Sequence, residues 1–123
     1  MEPNFEPAAS RAQDIFLFLK NKGYDVYFPA NKVGKCTAPY IVVKTETTSQ
    51  FQTYSSTQTF YGIICYIPRS QYSTLEPFMD GVKEAMKGLW PMIAPTHIVT
   101  EPYLDEHADA YMSSIGYVNY RKM

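Results

Sequence analysis

The chain has 123 residues, of which 46% are hydrophobic and 19% charged, and a formal net charge of -1. A single domain of this length buries roughly two thirds of its unfolded surface, so it can fold without metals or disulfides. The near-neutral balance, with Arg121-Lys122 as the longest basic cluster, excludes a broad electrostatic grip on nucleic acid, and no run approaches the ~20 apolar residues of a membrane span.

The N-terminal stretch Met1-Glu2-Pro3-Asn4-Phe5-Glu6-Pro7 is acidic and lacks the basic and apolar regions of a signal peptide. A first helix is expected over Pro7 to Lys22. Ala8, Ala12, Ile15, Phe16 and Leu19 recur at helical spacing and give one buried stripe, with Phe18 beside it. Lys20 and Lys22 fall in the last turn, where cations favour the helix dipole, and Gly23 follows as the stop. Tyr24 to Phe28 reads as a short strand ended by Pro29. A loop over Ala30 to Ala38 closes at Pro39, and Tyr40 to Lys44 forms a second strand with a β-branched centre.

Thr45 to Thr57 is rich in Thr, Ser and Gln and contains neither Gly nor Pro. A tight hairpin would normally show Asn-Gly or Asp-Gly. The segment therefore reads either as a long extended loop or as a hairpin projecting from the sheet. A third strand follows over Gln58 to Ile67. After the turn Arg69 to Tyr72, a second helix is expected from about Thr74 to Lys87. Ser73-Thr74-Leu75-Glu76 has capping-box spacing, and Pro77 in the first turn allows Thr74 as an alternative cap. Leu75, Phe78, Met79, Val82, Met86 and Leu89 make its buried stripe, and Lys83, Glu84 and Lys87 fall away from it. Gly88 is its expected stop.

Leu89 to Pro95 is an apolar, proline-bracketed linker expected to cover an open edge of the core around Trp90. Ile98 to Tyr103 is a fourth strand, Leu104 to Asp109 an acidic turn, and Ala110 to Arg121 a long fifth strand. The order α-β-β-β-α-β-β implies a single α+β domain over residues 1–123. Its sheet is mainly antiparallel or mixed, with two helices packed on one face.

Candidate chemistry is sparse. His97 and His107, the only histidines, lack a metal-ligand spacing. Cys36 and Cys65 have no Cys-x-x-Cys spacing and read as the free thiols of a cytosolic protein, with Cys65 as a core filler. Lys35 beside Cys36 could lower its pKa, but no neighbouring His completes a thiol nucleophile. Gly34-Lys35 lacks the flanking residues of a phosphate-binding loop. Asp105, Glu106 and Asp109 share one polar turn, which reads as a solvated loop or as a charge patch for a basic partner. The expectation is a protein that is not an enzyme and has no catalytic residues, no cofactor and no metal.

Three segments carry a resemblance. They are Lys35-Cys36-Thr37-Ala38-Pro39-Tyr40-Ile41-Val42-Val43-Lys44, then Tyr66-Ile67-Pro68 with Gln71-Tyr72-Ser73-Thr74-Leu75-Glu76-Pro77, and the ending Tyr117-Val118-Asn119-Tyr120-Arg121-Lys122. Together with length and element order they resemble the tail terminator, or tail completion, proteins of long-tailed phages and prophages. The resemblance implies a structural virion protein. Such a protein forms a ring, usually a hexamer, that caps the tail tube, stops its polymerisation and offers the surface that joins the head. It implies as partners the chain itself, the tail tube protein and a head–tail connector protein, with the sheath added if the tail is contractile. DNA would pass through without specific binding, and no membrane is involved. The implied location is the virion tail, and the host cytoplasm during assembly. Within that reading, Thr48, Gln50, Phe51, Gln52 and Tyr54 are the candidate contact with a neighbouring subunit or the tube. Asp105, Glu106 and Asp109 are the candidate acidic surface facing the lumen or a partner, where like charge would repel DNA. The alternatives are another head–tail connector or tail component, or a small ligand-binding or enzymatic accessory domain.

Overall fold

The computed structural model describes residues 12–31, 34–50, 56–90 and 93–122. Helix α1 spans Ala12–Asn21 and buries Ile15 and Leu19. Its end is set by chemistry. Gly23 adopts φ 99°, which a side chain would resist. The Gly23 N–H donates to the Lys20 carbonyl at 3.0 Å and the Tyr24 N–H to the Leu19 carbonyl at 3.2 Å. That bond pair is a Schellman stop, and Tyr24 returns to the core beside the helix.

Six strands form one mixed sheet. They are β1 (Val26–Tyr27), β2 (Tyr40–Gln50), β3 (Ser56–Pro68), β4 (Ala94–Val99), β5 (Tyr103–Asp105) and β6 (Ala110–Lys122). The order is β1-β2-β3-β6-β4, and β5 also pairs with β6. Among the described strands, β1 and β2 pair in parallel and the other pairs are antiparallel. Because β3 occupies one side of β6 along its length, β4 and β5 must share the other side in tandem. Helix α2 spans Leu75–Met86 and buries Leu75, Met79, Val82 and Met86.

The fold is α+β, and both helices lie on one face of the sheet. That face is read off by register. Ile41 and Val43 of β2 stand opposite Cys65 and Ile63 of β3. Ile63 and Tyr61 in turn stand opposite Ile115 and Tyr117 of β6. All of these are buried in one cluster with Ile15 and Leu19 of α1 and the buried side of α2. The other face carries a smaller cluster of Cys36, Tyr40, Val42, Ala108 and Ala110. The loop before β2 closes over it, and the Cys36 N–H donates to the Ala108 carbonyl at 2.6 Å. Tyr40 stacks on Tyr66 with ring centroids 4.6 Å apart, and Tyr27 meets Tyr40 edge-on at 5.6 Å.

Three details differ from the sequence reading, the first, second and fourth below, and the third decides between two alternatives it left open. First, the capping box does not form. Arg69–Thr74 is a pair of 3-10 turns kinked at Gln71 (φ -118°), the second of which leads into α2, and the Leu75 N–H donates to the Tyr72 carbonyl. The carbonyls of this extra turn take over the work of a cap, so Thr74 instead donates its hydroxyl to the Gln71 carbonyl at 2.7 Å. Second, the expected strand over Ile98 to Tyr103 is two strands. Pro102 has no N–H for a ladder, and β4 bulges between Pro95 and Val99. Third, of the two readings open for Thr45 to Thr57 the described residues take the hairpin, with β2 as far as Gln50 pairing with β3 from Thr57; residues 51–55 lie outside the described ones. Fourth, Trp90 does not seal the core. It is 66% exposed, while Ile93 three residues on is 1% exposed and closes that end.

Candidate functional site

The hairpin is built by length. Tyr40 to Val43 of β2 are buried and Lys44 and Thr45 exposed, and the strand continues to Gln50. A bulge between Thr45 and Thr47 shifts the register, so Thr48 faces Thr59 and Gln50 faces Thr57 across the ladder. β1 pairs only with Ile41 and Val42. Among the described strands, nothing pairs with the outer edge of β2 from Val43 to Gln50. Of the five candidate contact residues, Thr48 and Gln50 lie on this arm. Phe51, Gln52 and Tyr54 lie outside the described residues.

The acidic residues come together, but as a turn. Asp105 ends β5, and its Oδ1 accepts from the His107 N–H at 3.0 Å and the Ala108 N–H at 3.4 Å. This holds the β5–β6 connection closed. Asp109 takes φ 53°, a left-handed conformation that Asp tolerates better than most residues. Its Oδ1 lies 3.5 Å from Arg69 Nη1, and its carbonyl accepts from the Arg69 N–H at 3.1 Å. Two of the three acids are therefore engaged locally, and Glu106 alone is left exposed without such a bond. The turn and the hairpin are also not one site. Pro68 pairs with Ala110 beside the turn and Ser56 with Lys122 beside the hairpin, so the whole of β3 separates them. Over 13 residues that is about 40 Å.

A third feature had no counterpart in the sequence reading. A trough runs between α2 and the β4–β5 edge. It consists of one cavity of about 320 Å³ beside Glu76, Met79, Asp80 and Pro102, and one of about 660 Å³ beside Met86, Lys87, Trp90 and Ile93. Lys83 and Val99 line both. The signal was present in the helix, whose exposed Glu76, Asp80, Lys83 and Lys87 recur at i, i+4, i+7 and i+11. What the sequence could not supply was the opposite wall, because β4 reaches α2 only through the tertiary fold.

The interior is chemically quiet. Burial pushes the Cys65 thiol up to about 12, with Lys83 opposing slightly. Burial first, then Cys65, pushes the Tyr117 phenol to about 12. Tyr40 is raised further still, mainly by burial and then by Tyr66. All three are held protonated, which suits packing rather than nucleophilic work. Among the described residues no three His, Cys, Asp or Glu side chains are grouped to hold a metal ion, and no helix is long and apolar enough to cross a membrane. His107 is exposed on the acidic turn. No protein-family model matches the chain, and no curated protein sequence matches it.

Proposed function

We propose that this chain is a structural virion protein, a tail terminator whose subunits form a ring on the end of a phage tail tube. The ring stops tube polymerisation and presents the head-joining surface. The observation that carries the reading is the β2–β3 hairpin. Its β2 strand continues from Val43 to Gln50, and that outer edge is open among the described strands. An open edge of that length is an adhesive surface, because its backbone N–H and C=O groups lack ladder partners. A ring needs two different patches meeting head to tail with a closing rotation, and a projecting arm supplies one of them. The resemblance around Pro39, Ser73 and Tyr120 supports the same reading. The partners would be further copies of the chain, the tail tube protein and a head–tail connector.

Electron microscopy of assembled particles carrying a labelled copy tests it. The label is expected as a ring at the head-proximal end of the tail tube, and adding the purified protein to polymerising tube protein should shorten the tubes. A label on the capsid, along the tube or at the distal tip would overturn the terminator position. Tubes of unchanged length would overturn the capping role.

A further inference from the structure

We propose that the trough between α2 and β4 is the face of a symmetric dimer between two copies of this chain, packed with their α2 helices antiparallel. The carrying observation is the pattern of charge on the rim. Glu76, Asp80, Lys83 and Lys87 form one stripe along α2, and all four line the trough. The signs run negative, negative, positive, positive. The order is antisymmetric about a single point between Asp80 and Lys83. A two-fold axis through that point sets Glu76 against the partner's Lys87 and Asp80 against the partner's Lys83. The same operation supplies the two reciprocal pairs. One rotation thus satisfies all four charges, as an isologous contact requires.

Within one copy the stripe is only partly matched: Asp80 and Lys83 are opposite charges at i, i+3, and Lys87 has Glu84 beside it. Glu76 and Asp80 are like charges at i, i+4, and so are Lys83 and Lys87, a spacing at which like charges repel. The helix dipole accounts for acids early and bases late. It does not account for their confinement to the trough side. Glu84, the acid in the basic half, does not line the trough and lies 3.0 Å from Lys87.

The floor fits the same occupant. Met79, Met86 and Ile93 are buried beneath it, while Trp90 is 66% exposed and Val99 44% exposed along its length. An exposed Trp beside an apolar trough is the kind of anchor that interfaces use. The two-fold axis carries Trp90 onto the partner's acidic end, where the 50% exposed Tyr72 and Pro102 line the smaller cavity. The face lies at the β4 side of the sheet, away from the open edge of β2, so the dimer does not depend on the terminator reading.

Sedimentation velocity on the full chain tests the proposal, with charge reversals as the probe. The unaltered protein is expected to be a dimer at about 100 μM in low salt and to dissociate as salt screens the pairs. The double variant Glu76→Lys/Asp80→Lys makes the stripe wholly positive, and Lys83→Glu/Lys87→Glu makes it wholly negative. Each should dimerise at least about a hundredfold more weakly, because four attractions become repulsions. Mixing the two variants should restore a heterodimer, and the fourfold exchange carrying all these changes should restore the homodimer. Those recoveries separate lost complementarity from misfolding. Trp90, the only tryptophan of the chain, should shift its emission to the blue on dimerisation. A wild-type monomer at every concentration, or a dimer that survives either reversal, overturns the proposal. So does an exchange variant that stays monomeric while folded by circular dichroism. A ring of six indifferent to the reversals removes this dimer and leaves the terminator reading standing. A dimer that passes these tests but does not shorten tail tubes does the reverse.

Discussion

Gly116→Ala should destabilise the protein, against the usual sign for this change in a strand. Gly116 sits in the middle of β6 opposite Gly62, where β4 bulges over it. A Cβ built there falls 2.5 Å from Thr96 Oγ1 and 3.4 Å from the Ile98 carbonyl oxygen. Real Cβ atoms essentially never approach closer than 3.0 Å. In an unobstructed strand, replacing Gly with Ala gains roughly 0.5–1 kcal/mol. Here Thr96 must rotate or β4 must lift. Thr96 is β-branched and stiff at χ1, and its Oγ1 accepts from the Ile98 N–H at 3.3 Å. Losing that bond costs about 1 kcal/mol. Overpacking costs about 1–3 kcal/mol more. The balance is a loss of about 1–3 kcal/mol, read as a lower urea midpoint at unchanged m-value. Thr96→Ala removes the obstructing oxygen, so it should cost about 1 kcal/mol alone but recover stability in the Gly116→Ala background. The cycle should show a coupling of about 2 kcal/mol. Additivity of the two changes, or a Gly116→Ala protein more stable than the parent, would refute the idea that Gly116 is required by the close approach of β4.

Three further predictions follow from the same structure. Phe28 to Asn31 is a turn closed by the Asn31 N–H on the Phe28 carbonyl at 3.1 Å, with Ala30 at φ 69°. Ala30→Gly should therefore stabilise by up to about 1 kcal/mol in urea unfolding, since left-handed φ penalises a Cβ by a little more than Gly costs in entropy. Unchanged or lower stability would count against the turn assignment. Asn119 is 2% exposed and its Nδ2 has no hydrogen-bond partner, so Asn119→Leu should raise stability by about 1 kcal/mol or more; a clear loss would mean that the amide is satisfied in solution. Alkaline pH should weaken the fold. The Cys65 thiol is raised from 9.0 to about 12 by burial, so the folded state keeps its proton where the unfolded state has lost it. Stability is then full below pH 9 and falls as pH climbs toward 12, at up to about 1.4 kcal/mol per pH unit for this group. Tyr117 adds to the fall above pH 10, and Cys65→Ala should make the decline shallower. Urea unfolding at a series of pH values gives the slope, and a flat profile would contradict a protonated buried thiol.

What could be read from the residues was what local chemistry decides. Ile15 and Leu19 at helical spacing, with Gly23 behind them, were enough to define α1 and its stop. The apolar run from Phe60 to Ile67 and the stripe from Leu75 to Met86 placed β3 and α2, and the element order gave the α+β class. The hairpin of β2 and β3 stayed ambiguous because its polar residues carry neither a hydrophobic period nor turn chemistry; its strands are specified by pairing with each other and with β6. The capping box failed for a similar reason. Its spacing was correct, but a preceding 3-10 turn supplied the carbonyls that Ser73 and Glu76 would have stood in for.

The sequence by itself determined the two helices, the strands around Tyr40 to Lys44, Phe60 to Ile67 and Ala110 to Arg121, and their buried stripes, because helical and strand periodicities are properties of neighbours along the chain. It also carried the charge stripe of α2, though with no indication of what the stripe borders. Only the tertiary structure decided that β4 and β5 share one side of β6, that Trp90 stands exposed rather than buried, and that Glu76, Asp80, Lys83 and Lys87 rim one trough. It also put the acidic turn and the hairpin at opposite ends of β3. The physical reason is that each of these facts depends on residues far apart in the chain, and their meeting is set by register and packing rather than by any local preference.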